Sequence, residues 1–234
     1  MESIKLQNFI TMRTFLKILL LTLLTSLFAC KGQNKNKMIE KLDIKELEKE
    51  GTKTPINNTE YSYELKKQFN DGSSYNLSGS KTEGGYVKKE KLPNPSFLKI
   101  YKEFYVNGNL KRKETYIGEN VKIGISEYYD EDGALDKKVN EDEKFGKIKY
   151  TDCLAFLDKK GYIDLKTGKG REDKDGRPLF ELYFNDENGH KSWVISIIKG
   201  KPNNAIPTSL GEPLDALPLD FIMDGETGKV TEEK

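Results

Sequence analysis

From Tyr61 onward apolar side chains recur at every second position, and turn residues interrupt them at short intervals. Tyr61, Tyr63 and Leu65 alternate with polar neighbours, Asn70-Asp71-Gly72 marks a turn, and Tyr75 and Leu77 resume the alternation. After Pro93 and Pro95 the same pattern runs from Leu98 to Val139. Successive side chains of a strand point to opposite faces, so this period predicts hairpin-linked strands with one covered face and one wet face. A helical bundle is excluded over this stretch. With 33% of residues charged and 35% hydrophobic, a thin sheet with much solvated surface is expected.

The pattern changes at the charged run Glu141–Lys147, where a boundary is placed. Beyond it Tyr150-Thr151-Asp152 opens a helix, with Thr151 or Asp152 as its cap, Leu154, Phe156 and Leu157 on its apolar face and Gly161 at its end. Three strands are predicted at Leu179–Phe184, Ser192–Ile198 and Leu219–Met223, bordered by turns at Asn185–Gly189 and Asp224–Gly228. The expected fold is α+β and β-dominated: an antiparallel β-meander at 52–145, then a small domain at 146–234 with one helix and three or four antiparallel strands. Residues 30–51 lead into it. Lys31–Lys37 has no apolar residue and predicts a tether, and Ile44 and Leu47 dock a short helix starting near Asp43, stopped by Gly51 and Pro55.

At the N-terminus, Arg13 and Lys17 precede the apolar run Ile18–Ala29. A spanning helix needs about 20 apolar residues, so this shorter run suits the core of a signal peptide at 1–29, with Met12 as the natural start. It ends in Leu27-Phe28-Ala29-Cys30, which resembles a bacterial lipobox. The resemblance implies cleavage before Cys30, acylation of its thiol and anchoring to a membrane through the acyl chains. Lys31 follows the cysteine, which implies transfer to the outer membrane of a Gram-negative-type cell envelope. Gly32–Lys37 carries no acidic residue that would mark surface export, so attachment facing the periplasm is expected.

An internal repeat lies inside the meander. Glu103-Phe104-Tyr105-Val106-Asn107-Gly108-Asn109-Leu110 aligns with Glu127-Tyr128-Tyr129-Asp130-Glu131-Asp132-Gly133-Ala134-Leu135, with one residue inserted. Together with Tyr116, Gly118 and Gly124 it resembles MORN-like repeats of antitoxin-repeat proteins, over about 97–140. The alternative is an ordinary aromatic-rich meander. The helix and strands of about 150–230, with Trp193-Val194-Ile195-Ser196-Ile197 central and Asp-x-x-Thr-Gly-x-Val at 224–230, resemble a PepSY-like domain. The long connection Lys199–Pro218 departs from that compact pattern. Both resemblances imply modules that bind or inhibit other proteins.

Catalytic constellations are not visible. A single histidine, His190, removes most histidine-based catalysis, and two cysteines, Cys30 and Cys153, make no disulfide scaffold. Cys153 reads as a buried structural thiol. Asp130/Asp132, Asp173/Asp175 and Asp186/Asn188 sit beside glycines, but the flanking positions an EF-hand needs hold residues unable to ligate, so turns are expected and no metal. Gly225-Glu226-Thr227-Gly228-Lys229 lacks the spacing of a phosphate loop, and no Gly-x-Ser-x-Gly elbow occurs. With 39 basic and 38 acidic side chains the chain has no global reason to seek nucleic acid.

The expectation is a membrane-anchored, non-catalytic, cofactor-free lipoprotein that binds a protein partner, one concrete version being an immunity protein. An envelope scaffold with no toxin partner is the alternative, and an enzyme the outside class. Adjacent aromatics in a strand face opposite ways, so one of Tyr128 and Tyr129, and Tyr105 beside Phe104, are expected to present a protein-binding surface.

Overall fold

The computed structural model describes residues 40–202 and 216–233; the signal segment, Cys30 and most of the Lys199–Pro218 connection lie outside them. Helix α1 (Ile44–Glu50) begins at Asp43, whose carboxylate accepts the Glu46 N–H at 3.1 Å, and ends at Gly51. Eight strands follow in sequence order: β1 (Thr52–Pro55), β2 (Tyr61–Gln68), β3 (Ser74–Ser80), β4 (Gly85–Lys91), β5 (Leu98–Phe104), β6 (Leu110–Ile117), β7 (Val121–Tyr129) and β8 (Leu135–Asn140). Each pairs antiparallel with the next, forming one continuous meander. Helix α2 (Tyr150–Lys159) leads to a second antiparallel sheet, in the order β12 (Val230–Glu232), β11 (Ala216–Asp224), β10 (His190–Pro202), β9 (Phe180–Glu187). The β-dominated class expected from the alternation is the class found.

The register assigns the faces of the meander. On one face Leu65, Leu77, Tyr86, Phe104 and Leu110 form a cluster closed by Leu47, the one fully buried side chain of α1. Further along the same face Ile117, Val121 and Ile123 join a larger cluster with Phe145, Cys153 and Leu157, and with Leu182, Trp193, Ile195 and Phe221 of the second sheet. The segments on either side of Glu141–Lys147 therefore share one core. Between the two clusters runs a charged seam: buried Lys102 binds Glu40 at 2.7 Å and Glu90 at 2.9 Å.

The repeat is visible as lateral contact. Tyr105 Oη donates to the Tyr129 carbonyl at 2.8 Å and Asn107 Nδ2 to the Glu131 carbonyl at 2.9 Å, each across 24 positions. The two turns are built alike. Gly108 and Gly133 each return an N–H to the residue three before, at φ values of +84° and +86° that only glycine adopts without strain.

Helix α2 differs from the expectation at its start. Lys149 is the N-cap, and Asp152 sits one turn in, accepting the Lys149 N–H at 2.8 Å. Thr151 is exposed and inside the helix. A carboxylate in the first turn reaches back to a free N–H as effectively as one placed at the cap.

Candidate functional site

Most of the second face of the meander is left open by the described residues; only the turn Glu141–Lys144 folds over its Ser126 end, where Ser126 Oγ donates to Glu141 Oε1 at 2.7 Å. Three cross-strand rows traverse the open face, and each is fixed by direct pairing. Lys91, Lys99, Tyr116 and Lys122 form one row; Lys89, Tyr101 and Glu114 the next; Glu103, Arg112, Tyr128 and Lys137 the third. At their centre Glu114 is 1% exposed although it stands on the open face. The neighbouring side chains must therefore lie down over it.

Their hydrogen bonds show how. Tyr116 Oη donates to Glu114 Oε2 at 2.8 Å, Tyr128 Oη donates to Oε1 at 2.9 Å, and Lys122 Nζ donates to Oε1 at 2.6 Å. Two tyrosines on different strands thus converge on one carboxylate, which orients their rings. Arg112 adds a planar cation over the Tyr101 ring at 4.8 Å and an ion pair with Glu103 at 2.6 Å. Burial pushes the Glu114 carboxyl up, but Lys122, Tyr116 and Tyr128 together outweigh it and hold it below the ordinary carboxylate range. Burial and the Glu114 charge raise the Tyr116 hydroxyl to about 12. Near neutral pH this is an ionised carboxylate with its acceptor sites filled, beneath tyrosines that keep their protons. The arrangement holds a surface in shape.

Changing Glu114 to Gln should therefore lower stability by roughly 1–3 kcal/mol at neutral pH, because an amide offers donors where Lys122 and a tyrosine also donate. The carboxyl is held below its unfolded value, so its contribution is complete above about pH 4.5 and is lost as pH falls through the depressed folded value. Urea melts of both proteins across this range should show the gap constant above that point and shrinking below it. A pH-independent gap would refute the ionic role.

The structure separates the tyrosines singled out from the alternation. Tyr128 lies on the open face with Tyr101 and Tyr116. Tyr129 points the opposite way, packs against the Leu47 cluster and donates to Glu127 Oε2 at 3.0 Å. Tyr105 is half-buried at a turn, its hydroxyl spent on the Tyr129 carbonyl and the Lys111 ammonium 5.6 Å from its ring. The aligned aromatics also differ in phase: Phe104 is buried on the covered face, whereas its counterpart Tyr128 is on the open one. Arg112, Glu114 and Lys122 were not anticipated. Their signal is parity, since 112, 114 and 116 share one side of β6.

Elsewhere the acidic clusters are spent on their own turns. Asp130 accepts the Ala134 N–H at 2.7 Å, Asp173 the Asp175 N–H at 2.9 Å and Asp186 the Gly189 N–H at 3.0 Å. Cys153 is fully buried, and burial drives its thiol well above the usual range. His190 is exposed at the start of β10.

The Asp-x-x-Thr-Gly-Lys string at 224–229 has a structural twin at 164–169. In both, the aspartate Oδ1 accepts the N–H groups two and three residues on, and the threonine Oγ1 accepts the lysine N–H at 3.3 Å. The string encodes a self-contained turn.

Together these features define a β-meander protein with one face packed and the other an ordered, tyrosine-bearing polar surface. No family model, curated protein or solved structure matches the chain. The open face itself therefore carries the functional argument.

Proposed function

We propose that this protein is a membrane-anchored, non-catalytic lipoprotein of the bacterial envelope that binds a protein partner through the open face of its meander. One observation carries the reading: Tyr101, Tyr116, Tyr128 and Arg112 are gathered on an open sheet face, Tyr116 and Tyr128 held by the buried Glu114 carboxylate and Tyr101 by the Arg112 guanidinium. Tyrosine and arginine are the side chains that most often dominate binding energy at interfaces, and pre-ordering them lowers the entropy lost on docking. An immunity protein that occludes a toxin is the specific form favoured. A scaffold of envelope components is the second reading, supported by the same face.

The test is capture from envelope extracts with Tyr116→Ala and Tyr128→Ala beside the unaltered protein. An interface tyrosine costs about 2 kcal/mol or more when truncated, so partner recovery should fall by more than about tenfold while each variant stays folded by circular dichroism, its melting temperature lowered by the loss of one donor to Glu114. Undiminished capture, or unfolding in both variants, would place the interface elsewhere. One stoichiometric partner supports inhibition, and several envelope components support the scaffold.

Anchoring rests on the Leu27-Phe28-Ala29-Cys30 string. Among the described residues no helix is long and apolar enough to cross a membrane. Attachment to the outer membrane through acyl chains on Cys30, facing the periplasm, is the proposed arrangement. Cys30→Ala should move the protein from the membrane to the soluble fraction; full retention in the membrane pellet would contradict lipidation.

A further inference from the structure

The open face is charged asymmetrically in depth, and we infer from this that the partner presents an acidic protein surface to it. The inference rests on the protein-binding reading above. Lys89, Lys99, Arg112, Lys122 and Lys137 stand on this face around Glu103 and Glu114. The two signs occupy different levels. The Glu114 side chain is 1% exposed and that of Glu103 21%, whereas the side chains of Lys122, Lys99 and Arg112 are 30%, 31% and 34% exposed.

Around Glu114 the carboxylates lie beneath and the cations lie on top; at the margin the order reverses, with Lys99 and Lys91 under the more exposed Glu119 and Glu172. Lys89 and Lys137, at opposite sides of the tyrosine cluster, have no described carboxylate within salt-bridge distance. Over the tyrosine cluster an approaching surface therefore meets ammonium and guanidinium groups first, although the chain as a whole carries a formal charge of only +1. Unpaired surface cations gain little within the monomer, and they attract an anionic partner over about a Debye length, roughly 8–10 Å.

An acidic protein fits this face better than an anionic bilayer does. Peripheral membrane binding relies on large apolar side chains that enter the headgroup region. The large apolar residues that are exposed, such as Ile125, Leu135, Phe69 and Leu217, lie on the covered face, at a turn or in the second sheet. What the open face offers instead is a rigid plane of tyrosine rings and directional donors. These suit carboxylate side chains presented by another folded surface.

The test uses fluorescein-labelled poly-L-glutamate as the acidic probe and the full-length protein anchored in neutral phosphatidylcholine vesicles. Binding should weaken by about tenfold or more between about 50 and about 200 mM salt. The double reversal Lys89→Glu with Lys137→Glu should weaken it by a similar factor. Reversal of the α2 lysines, Lys159→Glu with Lys160→Glu, should leave it unchanged, with circular dichroism confirming that both variants fold. Equal binding by the two double variants, or no binding by the unaltered protein, would overturn the inference. So would co-sedimentation of the unanchored Cys30→Ala protein with phosphatidylglycerol vesicles, if the Lys89/Lys137 reversal abolished it, which would mean that the face lies on an anionic bilayer. The parent reading fails separately. If Tyr128→Ala loses the envelope partner and the Lys89/Lys137 reversal does not, the face is the interface but its partner is not acidic; if neither changes capture, the interface is elsewhere.

Discussion

Arg171→Met is expected to destabilise the protein by about 3 kcal/mol or more, lowering the melting temperature by roughly 6–12 °C. The Arg171 guanidinium is buried and pairs with no carboxylate among the described residues. Nη1 donates to the Leu92 carbonyl at 3.0 Å and the Ser96 carbonyl at 2.6 Å, and Nη2 donates to the Gly72 carbonyl at 3.0 Å. One side chain thus gathers the β2–β3 turn, the β4–β5 loop and the segment after α2. Methionine fills similar volume but leaves three partly buried carbonyl oxygens without this donor, and each such group costs about 1–3 kcal/mol. Arg171→Lys should recover less than half of the loss, because a single ammonium cannot span carbonyls that a planar fork reaches from two nitrogens. Equilibrium urea unfolding measures both. A methionine variant within about 0.5 kcal/mol of the parent would show that these loops hold together without the clasp.

Trp193→Ala should cost about 3–5 kcal/mol, the range for emptying a large aromatic site in a core. Trp193 is fully buried, packs against Phe145 at a centroid distance of 4.8 Å and Phe184 at 5.1 Å, and donates Nε1–H to the Ile148 carbonyl at 3.1 Å. Those contacts tie β10 to the chain entering α2. Trp193→Phe keeps most of the apolar volume and should lose about half as much or less. As the single tryptophan of the chain, Trp193 also reports on the Arg171 variants by its fluorescence. If fluorescence and far-UV circular dichroism give one shared transition in those variants, the clasp and the core unfold together.

The elements legible in the sequence were those whose cause is local. Asp43, Leu47 and Gly51 specify α1 by cap, anchor and stop; Asn70-Asp71-Gly72 and the glycines of the repeat specify turns; alternation specifies the strands between them. What escaped were consequences of pairing across distance. Strand β1 (Thr52–Pro55) is exposed along its length and shows no alternation, so only its ladder with β2 reveals it. The opposite phase of Phe104 and Tyr128 follows from register shifts beside Glu103, Lys113 and Tyr128, which a repeat alignment does not contain. Glu114 escaped for a related reason. Among many glutamates nothing in the string distinguishes it, and only the pairing of Tyr101 with Glu114 and of Arg112 with Tyr128 brings its neighbours together. Arg171 escaped entirely, because its partners are backbone atoms of loops 75 to 99 residues away.

The seam of Glu40, Lys102 and Glu90 has a consequence for how the molecule loosens. It divides the covered face into a small apolar cluster under α1 and a large one beneath the second sheet, so apolar packing is not continuous from end to end. The small cluster is shut from above by a seven-residue helix through one fully buried leucine, and the rest of that helix is largely charged. Fluctuations that lift α1 expose only that cluster and leave the tryptophan-centred core intact. The α1 end of the described chain is therefore expected to open first, which hydrogen exchange would show as earlier exchange there than in the strands around Glu114.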